Sequence, residues 1–123
     1  MSDYNNYSID PEVKFKPLEI IDVSILIENC TKNWQNLSLC EVNDSVVRLA
    51  VIEGEFHWHK HDKEDEFFYV LEGLLLIDLK DKIINLKPNQ GFMVPRGIVH
   101  RTRAPSRTSV LLMEKRSIKP TGD

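Results

Sequence analysis

A chain of 123 residues is one domain's length. At this size it can bury about two-thirds of the surface its unfolded form exposes, so it needs neither a disulfide nor a metal merely to fold. Hydrophobic residues are 41% and charged residues 28%, ordinary for a soluble globular protein, and a net charge of −3 with a pI near 5.8 argues against nucleic acid as the main partner, because neutralising phosphates needs a basic face.

In chain order, residues 1–16 are polar and punctuated by Pro11 and Pro17, which predicts an extended or poorly ordered N-terminal arm ahead of a single domain over 17–123. The first ten residues carry no apolar core of the kind a secretory signal needs, and the apolar run Leu74–Ile77 is too short to cross a bilayer. The expected setting is therefore cytoplasmic, without a membrane partner, and Cys30 and Cys40 are expected as reduced thiols. Residues 18–33 fit two periods. Leu18, Ile21 and Ile25 lie on one helical face, whereas Ile21, Val23, Ile25 and Ile27 alternate as a strand would; a helix or mixed segment is the expectation.

From Trp34 onward the pattern is strand after strand. Leu37–Val42 stops at Asn43-Asp44-Ser45, and the β-branched run Val46–Ile52 stops at Glu53-Gly54. Strands are then expected over Glu66–Leu71, Leu74–Leu79, Ile83–Leu86, Gly91–Val94, Val99–Arg103 and Thr108–Met113. Many short strands with regular turn signals predict an all-β sandwich or barrel. The stretch Phe67–Leu79 is apolar on both faces, so its outer face is expected to be covered by the N-terminal arm or by a second subunit, a homodimer.

All four histidines lie between positions 57 and 100, three of them in His57-Trp-His-Lys-His61, and the carboxylates Asp62, Glu64, Asp65 and Glu66 follow at once. On a strand, side chains two residues apart share a face, so a His-x-His pair can present two imidazoles to one ion, and a carboxylate completes a mixed nitrogen and oxygen site. Spacing alone permits two sets, because four residues separate His59-x-His61 from Glu66 and also His57-x-His59 from Glu64. Glu66 leads directly into a strand, which favours His59, His61 and Glu66. Pro95 and Gly97 form a turn that can aim His100 inward, although a lone histidine on an apolar strand is more often a packed or surface residue.

Two segments resemble the two motifs of the cupin superfamily. The first motif, G-x5-HxH-x(3,4)-E-x6-G, is matched by His59-Lys-His61, Glu66 and Gly73; the second, G-x5-PxG-x2-H-x3-N, by Pro95-Arg-Gly97 and His100. Only Glu66 stands six residues before Gly73. The departures are Gly54, one residue closer to its histidine than the motif asks, Gly91, two residues closer to Pro95, and Ala104 where Asn is usual. The resemblance covers roughly residues 37–113, and the stretch from Phe56 to His100 is similar to the small single-domain cupins grouped as mannose-6-phosphate-isomerase-like, a grouping by sequence that fixes no activity.

The resemblance implies a cupin-type β-barrel, a double-stranded β-helix or jelly roll, with one divalent transition-metal ion held by His59, His61, Glu66 and His100. Zinc, iron, manganese and nickel all suit such ligands, and open positions on the ion mark catalytic sites. The implied function is a metal-dependent enzyme on a small molecule, of dioxygenase or of sugar isomerase or epimerase type; the alternative is a non-catalytic binding or sensing module. No catalytic residue is assigned. Alternation predicts that Phe68, Val70 and Thr102 help line the cavity while Phe67, Tyr69, Arg101 and Arg103 point away. His57 is read as a rim residue or an acid or base, Arg48 as an inward anion anchor or a solvent-facing charge, and Trp34 and Trp58 as packing residues.

Overall fold

The structure is a computed structural model and describes residues 7–123. Its elements are β1 (Ser8–Val13), α1 (Val23–Asn29), β2 (Trp34–Val42), β3 (Ser45–Glu55), β4 (Glu66–Glu72), β5 (Leu75–Asp78), β6 (Ile83–Leu86), β7 (Gly91–Val94) and β8 (Arg101–Lys115). The strands form one sheet in the order β1-β2-β3-β8-β4-β7, with β5 joining β8 to β6. The all-β class is as expected.

β8 organises the sheet, because it pairs antiparallel with β3, β4 and β5. It merges the two strands expected over 99–103 and 108–113. Pairing with β3 passes from Ile52↔Thr108 to Gly54↔Ala104, so Pro105, Ser106 and Arg107 bulge out opposite Glu53 and the strand turns from one part of the sheet to the other. Arg107 uses this exposure, donating hydrogen bonds to Cys30 O and Lys32 O, the carbonyls just past α1.

Alternation along β3, β4 and β8 divides the apolar side chains between two cores. Ala50, Ile52, Phe68, Val70, Val110 and Leu112 face the barrel interior with Trp34, Phe56, Leu75 and Ile77. Leu49, Val51 and Leu39 face the other way, beneath Phe15, Val23, Leu26 and Ile27. Each fully buried Leu or Val contributes about 1.5–3 kcal/mol by leaving water. Packing, not propensity, stabilises the seven-residue α1, which is too short to stand alone. Asp22 caps it, its side chain accepting from Ile25 N. The helix therefore starts after Ile21, and the helical face expected from Leu18, Ile21 and Ile25 does not form: Leu18 and Ile25 are exposed.

Residues 8–13 of the expected arm are extended and pair parallel with β2, while the expectation for residues 1–6 lies outside the described residues. The N-terminal segment and α1 cover part of the outer face. A row they leave exposed is Met93, Phe67 and Met113, which are cross-strand neighbours on β7, β4 and β8. Cys30 is buried, Cys40 half-buried, and both are free thiols. Among the described residues, no helix is long and apolar enough to cross a membrane.

Candidate metal centre

The histidine segment departs from the regular strand that its spacing invites. Past Glu55↔Arg103 the β3–β8 ladder frays, continuing through Phe56 N to Thr102 O at 2.9 Å and a reciprocal pair between His59 and His100, each backbone N donating to the other's carbonyl at 2.9 Å. This isolated bridge brings the two motifs face to face. His61 is tied to the second motif's turn, since Gly97 N donates to His61 O at 2.7 Å. Glu66 begins β4, whose alternation buries Glu66, Phe68 and Val70 and leaves Phe67 exposed. The turn after β4 requires Gly73: its φ is +92°, and a Cβ there would lie 2.4 Å from Thr108 Oγ1 and 2.8 Å from Thr108 Cα.

The four expected residues converge. One ligand atom each from His59, His61, Glu66 and His100 lie within 4.8 Å of one another. Glu66 Oε1 is 3.3 Å from His100 Nε2 and 3.5 Å from His61 Nε2. The rings of His59 and His100 are held from behind, for His59 Nδ1 donates to His57 O at 3.0 Å and His100 Nδ1 to Ile98 O at 2.9 Å. With the proton on Nδ1, His59 keeps its Nε2 lone pair for an electrophile, the arrangement metal-ligating histidines usually adopt, while His100 Nε2 faces Glu66 Oε1. His61, 2% exposed, makes no hydrogen bond through either ring nitrogen among the described residues. Its Nε2 has only the long 3.5 Å contact with Glu66 Oε1; a buried ring so weakly satisfied calls for a partner, and three imidazoles with one carboxylate suit a divalent transition metal.

Charge at the site follows burial. Desolvation and the neighbouring His100 push His59 down to about 4, so it is a neutral imidazole at neutral pH. Burial pushes the Glu66 carboxyl up, but its polar contacts with His100, His61 and Glu114 outweigh that and hold it well below the usual carboxylate range.

Glu114 is the residue the sequence reading missed. It stands directly across from Glu66 in the β4–β8 register and is 3% exposed. Burial, and then the charge of Glu66, drive its carboxyl well above the usual range, with Arg48 opposing only in part. Arg48 Nε lies 2.8 Å from Glu114 Oε1 and its Nη1 donates to Ser38 Oγ at 3.1 Å. Arg48 thus points inward, but its guanidinium is held by protein partners. A signal for Glu114 was available: in Val110-Leu111-Leu112-Met113-Glu114, alternation puts a carboxylate on the inward face of an apolar strand.

A cavity of about 40 Å³ adjoins the cluster, room for roughly two or three waters. Trp34, Ile52, Phe56, Phe68 and Leu112 give it apolar walls, with Asn36 and Thr102 as polar points. Phe68 and Thr102 line it as expected; Val70 is fully buried in the core but is not part of the wall. Trp34 is both core and wall, whereas Trp58 is half-exposed with the Arg101 guanidinium 5.3 Å above its ring, not a packing residue. His57 Nε2 donates to Thr121 O at 2.6 Å at the rim.

Comparison with known proteins identifies the family. The Cupin domain family matches residues 45–114, more than half of the chain. The chain is 55% identical over 80 residues to the uncharacterized protein YdbB of Bacillus subtilis (strain 168), a match spanning 64% of this chain and 71% of the relative. It is 42% identical over 45 residues to the polyketide synthase CurC of Streptomyces cyaneus, which covers 37% of this chain and 29% of that protein. A crystal structure of a cupin-2 domain protein from Shewanella frigidimarina superposes with a TM-score of 0.75 at 30% identity, covering 78% of this chain and 94% of that one. With its two-motif site on a β8-centred barrel, the chain belongs to the cupin family.

Proposed function

We propose that this chain holds one divalent transition-metal ion on His59, His61, Glu66 and His100 and acts as an enzyme on a small, predominantly apolar molecule in the barrel. The observation that carries the reading is the pair of backbone hydrogen bonds that commit Nδ1 of His59 and His100 and turn Nε2 of each toward the cluster, where one ligand atom from each of His59, His61, Glu66 and His100 lies within 4.8 Å of the others. Bound, such an ion supplies Lewis-acid polarisation of a ligand oxygen or, where it is iron, electron exchange with dioxygen.

The chain's own residues set what can approach. Trp34, Phe56 and Phe68 give the adjoining space apolar walls, and a ligand that displaces its water would meet stronger polar interactions there. Asn36 Oδ1, buried with no partner among the described residues, offers an acceptor to a ligand hydroxyl or amine. No lysine or arginine lines the cavity, and Arg48 is engaged by Glu114, so a phosphorylated sugar finds no counter-charge there. That favours an uncharged substrate over the isomerase type on sugar phosphates.

Metal analysis of protein purified without a histidine tag should find about one ion per chain, lost in the His59→Ala, His61→Ala double variant; an ion retained by that variant sinks the assignment. Oxygen uptake by the iron-loaded protein across candidate apolar substrates then separates the two chemistries, and none with any of them counts against the dioxygenase type. We also propose that two chains pair through the exposed Met93, Phe67 and Met113 row, whose apolar area a monomer would leave in water.

A further inference from the structure

The histidine loop has two edges, and the ladder to His100 and Gly97 holds only one of them. The other is held by the C-terminal segment. Past β8 the chain turns at Lys115–Ile118, where Ile118 is 4% exposed and anchors the turn. Residues 120–123 then run against the loop, and Thr121 and Asp123 bond to it. Thr121 O accepts from His57 Nε2 at 2.6 Å. Asp123 N donates to Lys60 O at 2.9 Å, and Asp62 N donates to Asp123 Oδ2 at 2.6 Å. Ser117 Oγ donates to Glu64 Oε2 at 3.3 Å.

Between these bonds Gly122 lies flat on His59. Its φ is +97°, and a Cβ at that position would stand 2.6 Å from His59 Cβ and 3.2 Å from two atoms of the ring. Glycine is needed there for space as well as for backbone conformation. Pro120 reaches the cavity wall, and the Asp123 and Glu64 carboxylates come within 4.8 Å of a ring nitrogen of His61. Every stretch of the loop that carries a candidate ligand is thus backed by this segment.

We propose that Thr121, Gly122 and Asp123 are positioning residues for the metal centre: a clamp that serves the frayed loop as its missing neighbouring strand and sets His59 and His61 in the geometry an ion needs. This rests on the metal reading of those histidines. The physical logic is pre-organisation. A ligand loop fixed on one edge must lose conformational freedom when it binds an ion, and fixing the second edge removes that cost beforehand.

The test uses the full chain with Gly122→Ala and Asp123→Ala, zinc as the probe ion, and a competing chelator to read affinity. Amide exchange over residues 57–65 in the metal-free protein and the urea midpoint are measured alongside. The clamp predicts zinc affinity lowered about 10–100-fold, the scale of outer-contact losses at metal sites, with exchange over 57–65 at least about tenfold faster and a urea midpoint close to that of the unaltered chain. Unchanged exchange in both variants overturns it. So does zinc affinity within twofold of the unaltered chain, and so does a loss of affinity matched by general unfolding. If the unaltered chain takes up no zinc, the metal reading fails by itself and the exchange data alone decide whether the segment holds the loop.

Discussion

Replacing Glu114 by Leu should be among the most damaging single changes inside this barrel. A guanidinium is a permanent cation in a protein, and Arg48 carries it into the core. It is 4% exposed, and its guanidinium contacts Glu114 Oε1 at 2.8 Å and Ser38 Oγ at 3.1 Å. Glu114→Leu leaves that charge buried with the serine hydroxyl alone, and breaking a buried pair from one side costs about 3–5 kcal/mol. Against a typical total of about 5–15 kcal/mol this leaves a marginal fold, with Tm lowered by roughly 10–20 °C. Glu114→Gln should cost less than about 1 kcal/mol, because the amide oxygen can accept from Arg48 and the amide nitrogen can donate toward Glu66. The double variant Arg48→Met, Glu114→Leu should recover most of the loss, since no buried charge then lacks a partner. Urea unfolding of the four proteins at pH 7, compared by midpoint at constant slope, measures all three. The reasoning is refuted if Glu114→Leu costs no more than Glu114→Gln, or if the double variant loses the sum of its single changes.

Asp78 accepts from Arg103 Nε at 2.6 Å, Arg103 Nη2 at 2.8 Å and Arg101 Nε at 2.7 Å, and chiefly the Arg103 bonds hold its carboxyl below the usual value of 3.8. A depressed carboxylate stabilises the fold above its unfolded pKa and stops doing so as pH falls through its folded pKa. Asp78→Asn should therefore cost about 1–2 kcal/mol at pH 7, a gap that narrows below about pH 4; thermal melts across pH 2–7 showing a constant gap would contradict this. Gly73→Ala combines a left-handed φ with a Cβ driven into the Thr108 backbone, and about 2–4 kcal/mol should be lost, so an unshifted urea midpoint would mean that the turn is softer than its contacts imply. For pairing of chains, light scattering on Phe67→Lys, Met113→Lys should show a monomer where the unaltered chain is dimeric, and a dimer in both would place the interface elsewhere.

The composition of the candidate site was legible from the residues themselves. A His-x-His pair, a carboxylate entering a strand and a Pro-x-Gly turn before a further histidine each have a short-range geometric meaning, and their spacing matches two motifs. Alternation likewise set the faces of β4 and β8, with Glu66, Phe68 and Thr102 inward and Phe67 and Arg103 outward. These are local properties of the backbone, so sequence alone carries them.

What the tertiary structure decided is everything that depends on which strands become neighbours. Glu114 matters because register sets it across from Glu66, some fifty residues away in the chain. Arg48 becomes a held charge instead of a free anion anchor for the same reason. The loop carrying His57 to His61 is not a regular strand because its ladder frays past Glu55, and its order comes from His100 on one edge and residues 121–123 on the other. No periodicity in Lys119-Pro-Thr-Gly-Asp123 announces that role. Sequence pattern reports the conformation a segment prefers; contacts between distant segments are set by how the whole sheet closes, and the surroundings of this candidate site are made of such contacts.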